Sequence, residues 1–270
     1  GQREMGAGEK VGVVEVSGII LDSKPVLEDL KHFRKAEAVK AIVVRINSPG
    51  GAVGPSQEIY REIEKTRDVK PVFASMGAMA ASGGYYVAAA TEGIVANPGT
   101  ITGSIGVIME YTNFRKLFEK IGLYPVTIKS GKYKNLGSPV RKMTEKEEAI
   151  LQGFVDTVHQ QFIKDVADGR QMEKAAVGEI ADGRILSGER AKALGLVDRF
   201  GSLTDAVDWA GKKGGIEGEI TTVYPPAEKL NMLRKLIDVA ASEIKSRMQD
   251  IQAGSLQGGY VYHPGAGGGR

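Results

Sequence analysis

The chain has 270 residues, of which 42% are hydrophobic, enough for one large or two small globular domains with a substantial core. Its formal net charge of +3, with acidic and basic residues interleaved, argues against nucleic acid as the partner. The absence of cysteine excludes a disulfide framework, a thiolate nucleophile and a zinc–cysteine site.

The first part of the chain alternates strand and helix patterns. Three segments rich in small and branched apolar residues predict strands, and two amphipathic segments between them predict helices. The strands are Val11–Ile20, Ala41–Asn47 and Pro71–Ser75, and the helices are Lys24–Lys35 and Ser56–Thr66. Such βαβ units imply an α/β fold with a mostly parallel sheet covered by helices, in which ligands bind beyond the carboxyl ends of the strands.

The rest of the chain predicts a second set of elements. Strands are expected at Gly93–Asn97, Gly103–Ile108, Pro125–Lys129 and Glu219–Tyr224, and helices at Asn113–Ile121, after the capping box Thr144–Glu147, at Thr204–Lys213 and over 227–251. The apolar stripe of the last helix predicts a packing surface, either on the body of the protein or on another subunit. The glycine-rich tail 254–270 is predicted to be disordered.

The segment Met76–Tyr86 is the first candidate for chemistry. Ser82 falls where a predicted strand gives way to an alanine-rich helix, and three glycines in the segment let another backbone come close. A hydroxyl at a helix start lies beside free backbone N–H groups, which favour a negative oxygen. Ser82 is therefore a candidate nucleophile, but serine is also a common helix cap, and this segment alone leaves both interpretations open.

A serine nucleophile needs a base, and none of the three histidines is an evident one. His32 lies in a charged helix, His159 lies among the apolar positions of a long helix, and His263 lies in the tail. The α/β-hydrolase frame G-x-S-x-G is also absent, because Ala80 holds the place of its first glycine. A serine–histidine mechanism therefore has little support.

Lysine can replace histidine if its amine is neutral. The pKa of an unperturbed lysine is about 10.4, so burial must lower it by several units before it accepts a proton near neutral pH. Four lysines surround the segment after the predicted strand at Pro125–Lys129, namely Lys129, Lys132, Lys134 and Lys142. The residue pattern does not choose among them. The chain also lacks the usual nucleotide and zinc motifs, so no cofactor or metal is expected.

Five segments occur in the order found in one peptidase family. They are Asn47-Ser-Pro-Gly-Gly51, Met76–Tyr86, Thr102-Gly-Ser104-Ile-Gly-Val107, Lys129-Ser-Gly-Lys-Tyr-Lys134 and Ala191–Asp198. On these segments, which lie between residues 11 and 210, the chain resembles the bacterial and archaeal signal peptide peptidase A family. This resemblance implies the Clp protease and crotonase fold, and a serine-lysine endopeptidase that degrades remnant signal peptides at the membrane.

The resemblance also implies a role for each matching residue. Ser82 matches the nucleophile, Lys134 the general base and Ser104 a hydroxyl that orients the lysine. Gly51 and Gly83 match the backbone amides of the oxyanion hole. At position 135 this chain has Asn135 where the family often has an acidic residue, a difference that concerns loop contacts more than the two catalytic side chains.

Partners and location are likewise expectations from the resemblance. The substrates would be hydrophobic peptides, and the assembly would be a homo-oligomeric ring or dome without nucleic acid. The catalytic region would lie on the extracytoplasmic side, anchored to the membrane through an N-terminal segment outside this sequence, whereas the chain as given is expected to be soluble. We expect one catalytic domain at 9–252, including a helical region at 227–252, with flexible termini at 1–8 and 253–270.

Two other functions remain open at this level. The chain could be a non-hydrolytic scaffold or binding protein, since a fold does not guarantee an activity. It could also be a crotonase-type acyl-CoA enzyme, which uses similar paired amides. The presence of both Ser82 and Lys134 argues against the scaffold, and no motif for the adenine or pyrophosphate of CoA is evident.

Overall fold

The computed structural model describes residues 8–225 and the backbone of Gly258–Val261. These residues divide into two compact units. The first contains the described residues up to Ile108, Val158–Pro225 and the strand residues from Gly259 onward, and the second contains Met109–Thr157 and Gly258. The expected single catalytic domain at 9–252 stays a prediction.

Eleven strands and eight helices are present in the described residues. The strands are β1 Lys10–Ser17, β2 Val39–Ser48, β3 Gly50–Ala52, β4 Val72–Ala81, β5 Gly93–Ala96, β6 Ile101–Gly103, β7 Ile108–Met109, β8 Ile185–Ser187, β9 Arg199–Phe200, β10 Thr221–Val223 and β11 Gly258–Val261. The helices are α1 Lys24–Lys35, α2 Val53–Arg67, α3 Gly83–Ala89, α4 Arg115–Lys120, α5 Glu145–Arg170, α6 Lys174–Ile180, α7 Gly188–Ala193 and α8 Leu203–Lys213.

The first unit is built on an eight-stranded sheet, which confirms the predicted α/β class. Its main path runs β10-β1-β2-β4-β5-β9, and β6 and β8 continue from β4. Every pair is parallel except β6 with β8. Because parallel strands need helical crossovers, helices cover both faces and the strands are apolar on both sides.

The alternation of side chains along β1 shows how the two faces are filled. Val11 and Val13 pack in the cluster that includes Val207 of α8. Val14 and Val16 belong to a larger cluster on the opposite face, which also contains buried side chains of α1, α2, α3 and the Val158–Arg170 part of α5. Successive residues of a strand point to opposite faces, so one valine-rich segment serves both layers.

The second unit begins its long helix as the sequence predicts. The side-chain oxygen of Thr144 accepts a hydrogen bond from the Glu147 N–H at 3.3 Å, and a carboxylate oxygen of Glu147 accepts one from the Thr144 N–H at 3.0 Å. This reciprocal pair is the predicted capping box, and it satisfies two N–H groups that the helix itself cannot.

The predicted strand at Pro125–Lys129 is wrong. No strand is assigned there, and the side chains of Val126 and Ile128 are 87% and 97% exposed. An isolated extended segment has neither a ladder partner nor an apolar face to cover, so β-forming residues alone do not make it a strand.

Two other predictions change in position. The strand expected at Gly103–Ile108 is replaced by β6, which ends at Gly103, and β7, which begins at Ile108. Within the tail predicted to be disordered, Gly258–Val261 forms β11.

The helix expected over 227–251 lies outside the described residues. Among the residues that are described, no helix combines the length and apolar composition that a membrane crossing requires.

Candidate active site

Ser82 occupies the sharp turn between β4 and α3. Its backbone angles are φ 54° and ψ −121°, a conformation that residues with a side chain rarely adopt. Two hydrogen bonds hold it there, because the Ser82 N–H donates to the Gly103 carbonyl at 2.9 Å and its carbonyl accepts from the Tyr86 N–H at 2.9 Å. Strain of about 1–3 kcal/mol persists only where the surroundings impose it, and such positions cluster at functional sites.

The interpretation of Ser82 as a helix cap is wrong. Ser82 does occupy the position before α3, but its side chain makes no capping hydrogen bond. A capping serine has an extended backbone and accepts a hydrogen bond from the first turn, and Ser82 has neither property. The residue is also 1% exposed. The Ser82 side chain is therefore buried at the start of α3 without capping the helix.

The two glycines predicted to form an oxyanion hole lie against each other. A Cβ atom placed on Gly83 would lie 3.2 Å from the Gly51 nitrogen and 2.7 Å from the Ser56 Oγ. A Cβ on Gly51 would lie 2.1 Å from the Ile20 carbonyl oxygen, which no side chain permits. Gly51 therefore tolerates no side chain, and a side chain at Gly83 would have to displace Ser56 or the Gly51 backbone, because these segments approach so closely.

Ser104 lies beside Ser82 because of the register of two strands. Ala81 of β4 is paired with Gly103 of β6, and each of them is followed by a serine. Both serines have a positive φ, which is 54° for Ser82 and 53° for Ser104. The Ser104 N–H donates to the Arg184 carbonyl at 2.8 Å, and the residue is 7% exposed. The first unit therefore brings together Ser82, Ser104, Gly51 and Gly83 at the carboxyl ends of its strands.

Asp165, which the sequence did not single out, holds the helix that follows Ser82. Its carboxylate accepts a hydrogen bond from the Tyr86 hydroxyl, and its backbone carbonyl accepts one from the Tyr60 hydroxyl at 2.8 Å. Tyr85 anchors the other side of α3 by donating to the Leu196 carbonyl at 3.1 Å. The sequence feature that could have identified Asp165 is the presence of a charged residue within the apolar stripe of α5.

Burial keeps these tyrosine hydroxyls in the form that donates hydrogen bonds. It raises the pKa of Tyr85 above its ordinary value, and it raises the pKa of Tyr60 in the same direction, with the nearby Glu64 and Asp165 charges adding to the effect. Both hydroxyls therefore stay protonated at physiological pH, so Tyr85 keeps α3 joined to the Leu196 carbonyl and Tyr60 keeps α2 joined to α5.

Lys134 belongs to the second unit, where its side chain is exposed and its N–H donates to the Gly131 carbonyl at 3.3 Å. Two of the alternative lysines already have partners. The Lys129 amine donates to the Lys132 carbonyl at 2.8 Å and to the Asn135 side chain, and the Lys132 amine lies 5.5 Å from the centre of the Tyr133 ring.

Arg141 ties the chain after Lys134 to the start of α5. Its guanidinium donates to the Asn135 carbonyl at 2.8 Å and to both carboxylate oxygens of Glu147, at 2.7 and 2.5 Å. Hydrogen bonds from Arg141 and from the Thr144 backbone lower the pKa of Glu147 to about 2, so this carboxylate remains charged at neutral pH. Asn135 is thus contacted by Arg141 through its backbone and by Lys129 through its side chain. No group of side chains within the described ranges could hold a metal ion.

Replacing Gly83 with alanine is expected to lower kcat/KM for a peptide by about 10–100-fold, because the new methyl group must displace Ser56 or the Gly51 backbone. Gly54→Ala is the matched control, since a Cβ there meets nothing within 4 Å and its activity should stay unchanged. Adding Ser56→Ala to Gly83→Ala should restore part of the loss. Equal activity of Gly83→Ala and Gly54→Ala in a steady-state peptide assay would contradict the close approach of the two glycines.

Comparisons with known proteins identify a peptidase family. The pattern of peptidase family S49 matches residues 64–217. A Synechocystis sp. protein provisionally named a protease is 43% identical, over 81% of this chain and 80% of its own length. An Enterococcus faecium protein provisionally named signal peptide peptidase SppA is 38% identical, over 76% of this chain and 64% of its own. Protease 4 of Haemophilus influenzae is 36% identical, over 74% of this chain but only 34% of its own length.

Proposed function

Because this chain belongs to peptidase family S49, we propose that it is a serine endopeptidase in which Ser82 is the nucleophile and Lys134 the general base. The α/β architecture is the Clp protease and crotonase-like fold of that family, as the sequence predicts. One observation carries the proposal, namely the strained Ser82 turn beside the closely packed backbones of Gly51 and Gly83.

In the proposed reaction the Ser82 oxygen attacks a peptide carbonyl. Neutral Lys134 takes the proton from the hydroxyl and then transfers it to the leaving amine, and water later hydrolyses the acyl-enzyme. The N–H groups of Gly51 and Gly83 stabilise the negative oxygen of the tetrahedral intermediate, and each such donor contributes about 3–4 kcal/mol in known enzymes. The hydroxyl of Ser104 orients the lysine amine.

The choice of Lys134 among the lysines rests on its match to the family motif. The partners of the Lys129 and Lys132 amines support that choice. A lysine is neutral near pH 7 only when it is shielded from water, and the Lys134 side chain is exposed in the isolated chain. We therefore propose that the substrate or a second copy of the chain shields it in the working enzyme.

A homo-oligomeric ring or dome is part of this proposal. Six large apolar side chains of the second unit are at least half exposed, namely Leu117, Ile121, Leu123, Tyr124, Val126 and Ile128. They directly precede the segment that contains Lys134. Contiguous exposed apolar side chains are typical of interaction surfaces, and a second copy of the chain would cover these residues.

We propose remnant signal peptides and similar hydrophobic peptides as the substrates. The name of the Enterococcus faecium relative supports this substrate class. The same inference includes membrane association, through a segment outside this sequence, with the catalytic region on the extracytoplasmic side. This chain covers less than two thirds of that relative and about a third of Protease 4, so the substrate and the location rest on similarity.

Two measurements on the purified chain test the proposal. A fluorophosphonate probe is expected to label Ser82, and a signal-peptide-like hydrophobic peptide is expected to be cleaved at least about tenfold more efficiently than a polar peptide of equal length, since one buried apolar side chain is worth about 1–3 kcal/mol. Absence of both labelling and cleavage would favour the scaffold. A rise in melting temperature with acyl-CoA, without peptide cleavage, would favour the acyl-CoA enzyme.

A further inference from the structure

Asp165 places a carboxylate on the buried face of α5. The residue is 6% exposed, and Phe162 and Val166 on the same face are completely buried in the larger apolar cluster. A carboxylate is stable in such a place only when hydrogen bonds and an opposite charge compensate for the lost water, and apolar residues of similar volume are often no less stable there. Departures from an apolar core are expected where a side chain serves function.

The partners of Asp165 come from two other helices. One carboxylate oxygen accepts hydrogen bonds from the Tyr86 hydroxyl of α3 and from the Arg61 guanidinium of α2, the latter at 3.3 Å. The backbone carbonyl of Asp165 accepts a further hydrogen bond from the Tyr60 hydroxyl at 2.8 Å. Hydrogen bonds to an ionised acceptor are roughly twice as strong as those between neutral groups. Asp165 therefore holds the Tyr86 hydroxyl more firmly than a backbone carbonyl would.

Tyr86 connects this carboxylate to the turn that contains Ser82. Its backbone N–H donates to the Ser82 carbonyl at 2.9 Å, while its hydroxyl donates to Asp165. The ring between these two ends is fully buried, with its centre 5.1 Å from the Tyr60 ring and 4.8 Å from the Phe162 ring. Because buried side chains pack at the density of organic crystals, a shift of the hydroxyl end displaces the backbone end as well.

The Ser82 turn needs such a restraint. Its φ of 54° and ψ of −121° are unfavourable for a residue with a side chain, and such angles persist only where the surroundings impose them. The Gly103 carbonyl holds the Ser82 N–H on the side of β6, and the Tyr86 N–H holds the Ser82 carbonyl on the side of α3. If the second restraint loosens, the backbone relaxes toward an ordinary conformation and the hydroxyl oxygen moves with it.

We infer that Asp165 is a positioning residue for peptide cleavage, which acts through Tyr86 to keep the Ser82 oxygen aimed at the substrate carbonyl. This role rests on the proposed function, because it requires Ser82 to be the nucleophile. A displacement of about 1 Å at a reacting group can lower a rate by about 100-fold. Such a displacement leaves the peptide-binding surface in place, so the loss is expected in kcat rather than in KM.

Tyr86→Phe tests the link, because phenylalanine keeps the ring and its packing but removes the hydroxyl that donates to Asp165. Its kcat for a hydrophobic peptide is expected to fall by about 10–100-fold with little change in KM. The rate constant for fluorophosphonate labelling of Ser82 should fall by a similar factor, since labelling uses the same oxygen. Steady-state kinetics, timed mass spectrometry of the labelled chain and thermal melting measure these effects.

Tyr85→Phe is the matched control. Tyr85 is the neighbouring residue of α3, is equally buried and donates its hydroxyl to the uncharged Leu196 carbonyl at 3.1 Å. The substitution is expected to lower the melting temperature, but it leaves Asp165, Tyr86 and the Ser82 carbonyl connected, so kcat should stay close to that of the wild type. Equal losses of kcat in Tyr85→Phe and Tyr86→Phe, or a raised KM with unchanged kcat in Tyr86→Phe, would overturn the inference.

A double-mutant cycle tests whether Asp165 acts through Tyr86. Asp165→Asn keeps an oxygen that can accept the hydrogen bond but removes its charge, so its kcat should lie between those of the wild type and Tyr86→Phe. Adding Asp165→Asn to Tyr86→Phe should lower kcat little further, because the hydroxyl is already missing. Fully additive losses would show that Asp165 acts by another route and would also overturn the inference.

The proposed function and the positioning role fail differently. A wild-type chain that is labelled at Ser82, together with a Tyr86→Phe chain that is labelled at the same rate, overturns the positioning role alone. A wild-type chain that is neither labelled nor able to cleave any peptide overturns the proposed function, and the positioning role with it.

Discussion

Ser82→Ala is expected to lower kcat/KM for a hydrophobic peptide by at least about 10³-fold, because the substitution removes the atom that forms the acyl-enzyme. The alanine methyl group occupies the space of the serine Cβ, so the β4–α3 turn and its hydrogen bonds to Gly103 and Tyr86 remain possible. The melting temperature should therefore change little. Steady-state cleavage of a fluorogenic peptide, with mass spectrometry of the products, measures the effect.

Ser17→Ala is the matched control, since Ser17 is exposed at the end of β1 and distant in sequence from the turn. It should retain full activity. Activity of Ser82→Ala within about tenfold of the wild type would show that another group attacks the carbonyl, because losing a nucleophile costs orders of magnitude. A sharp drop in melting temperature for Ser82→Ala would instead show that the hydroxyl serves the fold.

Lys134→Met is expected to lower kcat by about 10²–10⁴-fold, the usual contribution of a positioned general base. Methionine keeps an unbranched side chain of similar length but has no amine, so packing is largely preserved. Lys134→Arg should be nearly as inactive, because arginine stays protonated and cannot accept the serine proton. Steady-state cleavage of the fluorogenic peptide by both variants measures the loss.

The neighbouring lysines provide the controls. Lys129→Met, Lys132→Met and Lys142→Met should each keep a cleavage rate close to that of the wild type. If one of them loses activity while Lys134→Met retains it, the base is that lysine. Sedimentation of each variant shows whether a lost rate reflects the missing amine or a missing oligomer, since Lys134 is exposed in the isolated chain.

The sequence by itself determined most of the elements and the candidate residue types. The valine-rich segments became β1 and β2, the predicted helix Lys24–Lys35 has those limits in α1, and the Thr144–Glu147 capping box begins α5. These features depend on periodicity and on contacts within a few residues, which a sequence shows directly. Ser82 was identified as a candidate at this stage, and Lys134 through the family motif alone.

Only the tertiary structure decided the backbone conformation and the neighbours of Ser82. Its left-handed backbone results from hydrogen bonds to Gly103 and Tyr86, and its neighbour Ser104 results from the pairing of β4 with β6. The approach of Gly83 to Gly51 and the pairing of β11 with β3 likewise join residues far apart in sequence. Strand register and steric contact between distant segments arise only when the chain is packed, so periodicity in the sequence does not reveal them.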